Sequence, residues 1–289
     1  MSSPGTDAFG QYRQWVGRQR EERDVIGAWP IRAMNATLDI RAPDPVPGDE
    51  VPPAWHWLYF LEARPASEIA EDGHPQRGDF LPPVPLPRRM WAGGRLHWLA
   101  PLRVGDAVTR SSEIVSVEPK TGRTGTMVFV TVRHTIASGS TAAIVEEHDI
   151  VYREAPQPGQ PAPAAQPGPP GAPWQRTLTP DAVLLFRYSA LTFNGHRIHY
   201  DAPYVTGVEG YPGLIVHGPL QATLLIGLAA AHAPAGRRLA RFEYRALAPT
   251  FAGLPLTLHG QPEAEGAAAS VWATGDGGGR TMAGRAAYA

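Results

Sequence analysis

The sequence predicts an α+β protein whose two halves each contain an antiparallel sheet. Short β-prone runs occur in both halves, and turn residues separate most of them. They are Arg95 to Trp98, Ala107 to Glu118, Thr126 to Ala137, Ile144 to Tyr152, Arg241 to Ala246, Leu254 to Gly260 and Ala268 to Thr274. One apolar run, Leu220 to His232, follows Pro219 and precedes Pro234, which is typical of a buried helix.

A repeat across the two halves supports a duplication. Leu99-Ala100-Pro101 recurs as Leu247-Ala248-Pro249, at an offset of 148 residues. The same offset relates Gly105 to Gly253 and Val108 to Leu256. The match alone is weak, but each copy lies between two β-prone runs. The repeat therefore predicts two related units in one chain.

The predicted boundary between the units is the segment 155–173, which is almost entirely Pro, Ala, Gly and Gln. Such a segment cannot form a packed core and should be an extended, mobile linker. It separates a first unit, residues 1–154, from a second, residues 174–289. Short helices are expected at Tyr12 to Asp24 and at Trp55 to Glu62, and Asp181 to Leu191 is expected to be a helix or a strand.

Composition excludes several classes of function. The chain of 289 residues has a formal net charge of −1 and contains no cysteine. Nucleic-acid binding, disulfides and thiolate chemistry are therefore not expected. Residues 1–24 lack the apolar segment of a signal peptide, and no apolar run is long enough to span a bilayer. These features predict a cytoplasmic protein with no membrane partner.

The densest group of chemically active side chains lies in two stretches, Phe193 to Asp201 and Gly213 to Leu220. They read FNGHRIHYD and GLIVHGPL. Histidine titrates near neutral pH and suits general acid–base catalysis, and the peptide N–H groups at a helix start suit stabilisation of an oxyanion. Together the stretches predict a site that polarises a carbonyl group and moves a proton beside it.

These stretches resemble the signature of MaoC-like hydratases and dehydratases. Most of that family has Gly-Asp-x-Asn-Pro-x-His, in which the Asp and the His do the chemistry; here the Asp position holds Asn194 and the His position holds His199. The branch of mesaconyl-CoA and itaconyl-CoA hydratases and type 2 3-hydroxyacyl-thioester dehydratases commonly reads Asn-x-His-Arg-Ile-His-Tyr-Asp, as this chain does. The resemblance implies a double hotdog, in which two antiparallel sheets join edge to edge and each wraps around a central helix. It also implies that the first unit is non-catalytic and forms the acyl tunnel.

The resemblance implies that water is added to a 2-enoyl thioester. We hypothesise that His199 is the general acid/base and that the backbone amide of Gly218 polarises the thioester carbonyl. Gly213 or His217 could help to form the approach to this site.

The amide of Asn194 cannot take up a proton as the carboxylate of the wider family does. Two alternatives are open. Asn194 orients the attacking water or the substrate while His199 alone moves protons, or a carboxylate from Asp201 or elsewhere in the chain supplies the missing group.

Other polar residues are candidates for substrate contacts. His196 and His199 have a spacing that can bind one metal ion, but no third ligand lies near them in sequence and the family needs none, so no metal is predicted. Arg197 is expected to hold a carboxylate, that of Asp201 or of the substrate. Arg88 and Arg89 either contact CoA phosphates or an acyl carboxylate, or brace the junction between the units.

The leading hypothesis is a hydro-lyase that adds water reversibly to a 2-enoyl-CoA, or dehydrates a 3-hydroxyacyl thioester. The expected carrier is CoA, as part of the substrate, or acyl carrier protein, and no other cofactor is expected. The alternatives are a hotdog thioesterase, which would attack the carbonyl carbon, and a non-catalytic acyl-CoA-binding protein. Hotdog proteins usually associate, so a homo-oligomer is expected.

Overall fold

The computed structural model describes residues 6–122, 125–154, 166–263 and 266–289, and these contain ten strands, four α-helices and several short 3₁₀ helices. The strands are β1 (Gln19–Val25), β2 (Arg88–Trp98), β3 (Ala107–Gly122), β4 (Gly125–Ser138), β5 (Thr141–Arg153), β6 (Trp174–Leu178), β7 (Leu239–Ala246), β8 (Leu256–Pro262), β9 (Ala268–Thr274) and β10 (Arg280–Tyr288). The helices are α1 (Ala28–Thr37), α2 (Ala182–Leu191), α3 (Ala202–Gly207) and α4 (Gly218–Ala231).

All ten strands belong to one antiparallel sheet, in the order β1-β3-β4-β5-β2-β7-β10-β9-β8-β6. The order is symmetric about the junction between β2 and β7, where Gly93 pairs with Arg245 and His97 with Arg241. Each half therefore contributes five strands in equivalent positions. The junction covers one edge of each half-sheet, which would otherwise expose unpaired backbone groups.

The repeated Leu-Ala-Pro tripeptide has the same backbone hydrogen bonding in both halves. After β2, the amide of Leu99 donates to the carbonyl of Ala143 at 2.8 Å, and after β7, the amide of Leu247 donates to that of Thr281 at 2.8 Å. Ala143 lies near the start of β5 and Thr281 near the start of β10, and these strands occupy equivalent positions in the two half-sheets. The sequence repeat is thus a structural repeat.

Helix α4 is the centre of the second half and packs against β7, β8, β9 and β10. It is apolar on nearly every side; its buried aliphatic residues are Leu220, Ala222, Leu224, Leu225, Ile226, Leu228 and Ala229. A helix that is apolar all round must lie inside the protein. Its buried Gln221 accepts a hydrogen bond from Thr281 of β10 at 2.7 Å, which satisfies the polar side chain.

The expectation of a central helix in each half holds for the second half alone. Between β1 and β2 the described residues contain α1 and two short 3₁₀ turns, Trp55–Leu58 and Ala66–Glu68, but no counterpart of α4. This stretch is rich in proline, including Pro52 and Pro53, and proline removes the N–H group that an α-helix needs. Buried aromatic side chains from this stretch share a core cluster with residues of β2 and β3 instead.

Several predicted elements differ from the structure. The helix expected at Tyr12 to Asp24 is wrong, because a 3₁₀ segment, Thr6–Trp15, is followed by strand β1. Pairing with β3 and an alternating burial pattern decide the conformation of this polar strand. The helix expected at Trp55 to Glu62 is one 3₁₀ turn, and Asp181 to Leu191 is helix α2, with Asp181 as its N-cap.

The predicted linker lies largely outside the described residues, since the description resumes at Gln166. From there the chain docks onto the second half. The amide of Arg280 donates to the carbonyl of Gln166 at 2.8 Å, and Pro167 forms a β-bridge with Gly279. In the described parts of the chain, no helix has the length and apolar content needed to cross a bilayer.

Candidate active site

His199 ends a one-turn 3₁₀ helix, Arg197–His199, in the segment between α2 and α3, and 6% of its surface is exposed. Its Nδ1–H donates to the carbonyl of Ile215 at 2.7 Å. Burial lowers the pKa of His199 to about 4, although the bond to Ile215 acts in the opposite direction. The ring is therefore neutral near pH 7, and its Nε2 retains a lone pair that can accept a proton.

The ring of His199 lies at the start of α4. It stacks on His217, the N-cap of that helix, with ring centroids 3.7 Å apart and planes inclined by 21°. The Nε2 of His217 lies 2.8 Å from Oγ of Ser189, on α2, while its Nδ1 has no hydrogen-bond partner among the described residues. Burial and the neighbouring His199 lower the pKa of His217 well below its ordinary value. The acid/base candidate thus stands at the positive end of the buried helix.

Gly218 begins α4, one residue after the stacked histidine. The bond from Gln221 N–H to the carbonyl of His217, at 3.1 Å, starts the helical ladder, so the amide of Gly218 is not used within the helix. A Cβ at Gly218 would lie 3.3 Å from Cε3 of Trp91 on β2, so this ring approaches the helix start closely. No atom lies within 4 Å of the Cβ position at Gly213, which leaves open space there.

Asn194, Arg197 and Asp201 make contacts within their own segment. Oδ1 of Asn194 accepts the backbone N–H of His196 at 3.0 Å and shapes the turn before the histidines. Arg197 donates from Nε and Nη2 to Oδ2 of Asp201 at 3.0 and 2.8 Å, while Oδ1 of Asp201 caps α3 by accepting the N–H of Tyr204 at 3.0 Å. The carboxylate that Arg197 holds is therefore that of Asp201.

The adjacent residues Arg88 and Arg89 have different surroundings. Arg88 donates to the hydroxyl of Tyr211 at 2.9 Å and forms an ion pair with Glu209 at 3.3 Å, so it braces β2 against the segment after α3. No carboxylate lies within 4 Å of Arg89 in the described parts of the chain. Its charge contributes to the lowered pKa of His74, and it opposes the burial that raises the pKa of Tyr152.

Arg89 lines a cavity of about 180 Å³ together with other arginines. Arg20 pairs with Glu62 at 3.0 Å and Arg110 with Glu22 at 2.7 Å, so the charges of both are compensated. Among the residues that the structure describes, Arg89 and Arg77 are the cavity arginines without a carboxylate partner, and Arg77 is already held by main-chain carbonyls.

The first half also reaches the site, through Asp72 and His74. The rings of His74 and His196 lie 4.1 Å apart between centroids, and Oδ2 of Asp72 is 3.0 Å from Nδ1 of His74. One ligand atom each from Asp72, His74 and His196 lies within 4.8 Å of the others, a geometry that could hold a metal ion. Sequence reasoning missed both Asp72 and His74, because they lie far from the motif along the chain and no local spacing links them to it.

Comparisons with known proteins agree with this architecture. The family model for hydroxyacyl-thioester dehydratase type 2 matches residues 54–252, which include the histidine motif and the Asp72 and His74 segment. A curated relative, the mesaconyl-C(4)-CoA hydratase of Chloroflexus aurantiacus, is 46% identical over 87% of this chain and 89% of its own. The chain belongs to the type 2 hydroxyacyl-thioester dehydratase family. The predicted family resemblance is therefore confirmed, and the chain is a hydratase or dehydratase.

Two more distant matches bear on the family and on the fold, respectively. The mitochondrial hydroxyacyl-thioester dehydratase type 2 of Schizosaccharomyces pombe is 27% identical over 82% of this chain and 88% of its own. A Mycobacterium tuberculosis protein with a double hotdog fold superposes with a TM-score of 0.57 at 16% identity, covering 99% of both chains. The predicted double hotdog is confirmed.

Sequence reasoning also missed a buried polar cluster in the first half of this dehydratase-family protein. Glu146, on β5, is 2% exposed and accepts a hydrogen bond from Nε1 of Trp57 at 2.9 Å. The Nε2 of His56 lies 3.1 Å from the same carboxylate. Burial acts to raise the pKa of Glu146, but the surrounding histidines, His148 and His56, hold it well below its ordinary value. Trp57 packs edge-on against Trp91, which touches the start of α4.

Proposed function

We propose that this protein adds water reversibly to a 2-enoyl-CoA whose acyl group carries a free carboxylate, of the mesaconyl-CoA or itaconyl-CoA kind. The single observation that carries the proposal is the position of His199, a neutral imidazole stacked against the N-terminus of a buried helix. The 46% identity to a mesaconyl-C(4)-CoA hydratase supports the choice of substrate.

The proposed reaction requires one proton acceptor and one oxyanion site. As the oxygen of water bonds to C3, one O–H bond breaks and the proton passes to Nε2 of His199. The C2=C3 electron pair moves into the thioester, which becomes enolate-like, and the imidazolium of His199 then returns the proton to C2. The proton bound to Nδ1 donates to Ile215 throughout, which holds the ring in one tautomer.

The oxyanion would form on the thioester oxygen near Gly218. Its backbone N–H lies at the start of α4, where the helix dipole favours negative charge. A donor fixed in place before the reaction needs no reorganisation as the charge develops, and removal of such a donor typically costs about 10²–10³ in turnover.

Arg89 is the proposed partner of the free acyl carboxylate. A cation without a carboxylate partner in a cavity favours an anionic ligand, and a guanidinium can hold a carboxylate through two hydrogen bonds. Arg88 is not assigned this role, because Glu209 and Tyr211 already hold its guanidinium group. Arg197 is likewise held by Asp201.

Hydration adds only the elements of water and transfers no net electrons, so we propose no cofactor beyond the CoA of the substrate. Use of acyl carrier protein, assembly into homo-oligomers and a cytoplasmic location remain predictions. A thioesterase would place the attacking water at the carbonyl carbon, but the family match is to dehydratases.

A panel of enoyl thioesters tests the proposal. Purified protein is incubated with mesaconyl-C4-CoA, itaconyl-CoA and crotonyl-CoA, and enoyl absorbance and free thiol are followed together. We expect loss of enoyl absorbance without thiol release, fastest with the dicarboxylic substrates. Thiol release would indicate a thioesterase, and saturable binding without turnover would indicate a binding protein.

A further inference from the structure

The motif leaves a proton-handling position without a carboxylate. At position 194 the side chain is an amide, and its oxygen already accepts the N–H of His196 at 3.0 Å. Asp201 is committed to Arg197 and to the cap of α3. Asn194 cannot accept a proton, and the carboxylate of Asp201 is already engaged, so neither side chain supplies a free carboxylate beside His199.

A loop from the first half, which we call the Asp72 loop (residues 68–76), reaches this position. Main-chain hydrogen bonds close it, from Gln76 N–H to Glu68 and from Ala70 N–H to His74, both at 2.8 Å. The carbonyl of Asp72 then accepts the N–H of Arg197 in the motif at 2.9 Å. The tip of the loop is thus fixed directly onto the histidine motif.

Glycine allows this close approach. Gly73 has φ +89°, and a Cβ built on it would lie 1.8 Å from the carbonyl oxygen of Gly195. Any other residue at Gly73 would push the loop away from the motif. The two backbones therefore meet without side chains between them.

At the tip of the loop, Asp72 and His74 form a hydrogen-bonded pair. Oδ1 of Asp72 accepts the backbone N–H of His74 at 3.0 Å, and Oδ2 lies 3.0 Å from its ring Nδ1. A carboxylate oxygen accepts hydrogen bonds, so its contact with Nδ1 places a ring proton there. In the neutral ring this leaves a lone pair on Nε2.

This pair is linked to His199 through one ring. His74 lies against His196, with centroids 4.1 Å apart, and His196 meets His199 at right angles, with centroids 5.5 Å apart. Carboxylate, His74, His196 and His199 therefore follow one another in a continuous row of side chains, drawn from both halves of the chain.

We propose that Asp72 and His74 are part of the catalytic machinery, with His74 holding the attacking water and Asp72 fixing the tautomer of His74. The inference rests on the proposed hydration. One proton of water passes to Nε2 of His199 as the oxygen bonds to C3, while the second O–H donates a hydrogen bond to Nε2 of His74 and stays intact. His199 then returns its proton to C2, so one water is added and both rings end neutral.

The way in which the loop docks separates this role from a structural one. The contacts of the Asp72 loop with Arg197 use the main-chain carbonyls of Asp72 and Glu71, at 2.9 and 3.1 Å. Substitution of the Asp72 or His74 side chain leaves these contacts in place. A loss of turnover in such variants therefore reports on the side chains and not on docking of the loop.

The test compares Asp72→Asn, His74→Ala and the double variant in steady-state hydration of the best enoyl-CoA. We expect each single variant to lower kcat about 100-fold, with KM changed by less than about threefold. Because Asp72 acts through His74, the double variant should lose no more than His74→Ala does. Glu71→Gln, which changes an exposed side chain on the same loop, is the control and should retain normal kcat.

Near-normal kcat in His74→Ala, or losses that multiply in the double variant, would overturn the proposal. Nitrogen-15 NMR of the wild-type ring decides the tautomer without any variant: a proton on Nδ1 of His74 supports the role of Asp72, and a proton on Nε2 contradicts it. If the wild-type protein hydrates no enoyl thioester, the proposed function fails, while the NMR result still decides whether Asp72 sets the tautomer.

Discussion

The imidazole rings of His199 and His217 are stacked, with centroids 3.7 Å apart and planes inclined by 21°. Both rings are buried, and burial is the main cause that lowers the pKa of each, that of His199 to about 4. Because His217 is the N-cap of α4, the proposed proton acceptor and the proposed oxyanion site share one rigid contact. The low pKa keeps His199 in its proton-accepting form throughout the physiological range.

The first prediction concerns the pH dependence of activity. Since His199 accepts a proton only when neutral, we expect kcat/KM for hydration to stay level from about pH 8 to about pH 5 and to fall as the pH approaches 4. The measurement is initial rate against pH in buffers of constant ionic strength. An acid limb centred near 6.5 in folded protein would contradict the assignment.

Acid unfolding must be separated from this effect. Between the ordinary value of 6.5 and the folded value of about 4, the unfolded chain binds a proton at His199 that the folded chain does not. The free energy of unfolding therefore decreases as the pH falls through this window, by at most about 3 kcal/mol from this residue. Urea unfolding at each pH shows which rates were measured on folded protein.

The second prediction concerns the start of α4. In Gly218→Ala the new Cβ meets Trp91 at 3.3 Å, so the helix start or the ring must shift. We expect kcat to decrease by about 10-fold or more, because the first amide no longer points at the carbonyl oxygen. Gly227→Ala is the matched control: this exposed glycine of the same helix has no atom within 4 Å of its Cβ position. It should retain activity and gain about 1 kcal/mol of stability. Equal kcat in the two variants would argue against the oxyanion site.

The third prediction concerns Arg89 and substrate choice. We expect Arg89→Gln to lower kcat/KM for a dicarboxylic enoyl-CoA by about 100-fold and to change that for crotonyl-CoA by less than about fivefold, because only the first has a free carboxylate to lose its partner. The assay measures both substrates with each variant. Arg133→Gln, which removes an arginine paired with Glu147 outside the cavity, is the control. Equal decreases in kcat/KM for both substrates would indicate instead that Arg89 binds the CoA part of the substrate or stabilises the fold.

The fourth prediction concerns the buried carboxylate of Glu146. Replacement by Leu leaves the indole N–H of Trp57 and the ring of His56 without their acceptor. We expect a loss of about 3–5 kcal/mol in the free energy of unfolding, measured with urea. The adjacent Glu147, which pairs with Arg95 on the more exposed side of the strand, gives the control. Glu147→Gln should cost no more than about 1 kcal/mol, and equal losses in the two variants would contradict a special role for the buried group.

Local signals account for what the sequence predicts well. Pro219 and the apolar run after it predict α4, and they place Gly218 and His217 at its start. The repeat of Leu99 and Leu247 predicts two related half-sheets. These signals depend on residues close together in the chain or on a repeated pattern, so they can be read from the sequence without knowledge of tertiary contacts.

The parts that the sequence does not predict depend on contacts between distant segments. Strand β1 has polar, helix-compatible residues, and pairing with β3 makes it a strand. Asp72 and His74 reach His196 because a loop of the first half docks on the motif of the second, and no spacing in the sequence records that contact. The prolines before β2 disfavour a long helix in the first half, but the family resemblance leads to the prediction of a central helix in both halves.

The most direct test of the central claim is whether hydration of the substrate requires the side chain of His199. The variant is His199→Asn, which keeps a donor near the position of Nδ1 but removes Nε2. Wild-type protein and the variant are each incubated with mesaconyl-C4-CoA, and the masses of the products are measured by mass spectrometry. We expect the wild-type protein to convert the substrate to a thioester heavier by one water, and the variant to do so at least about 100-fold more slowly while remaining folded. Formation of the same product at a similar rate by both proteins would show that His199 is not the proton acceptor.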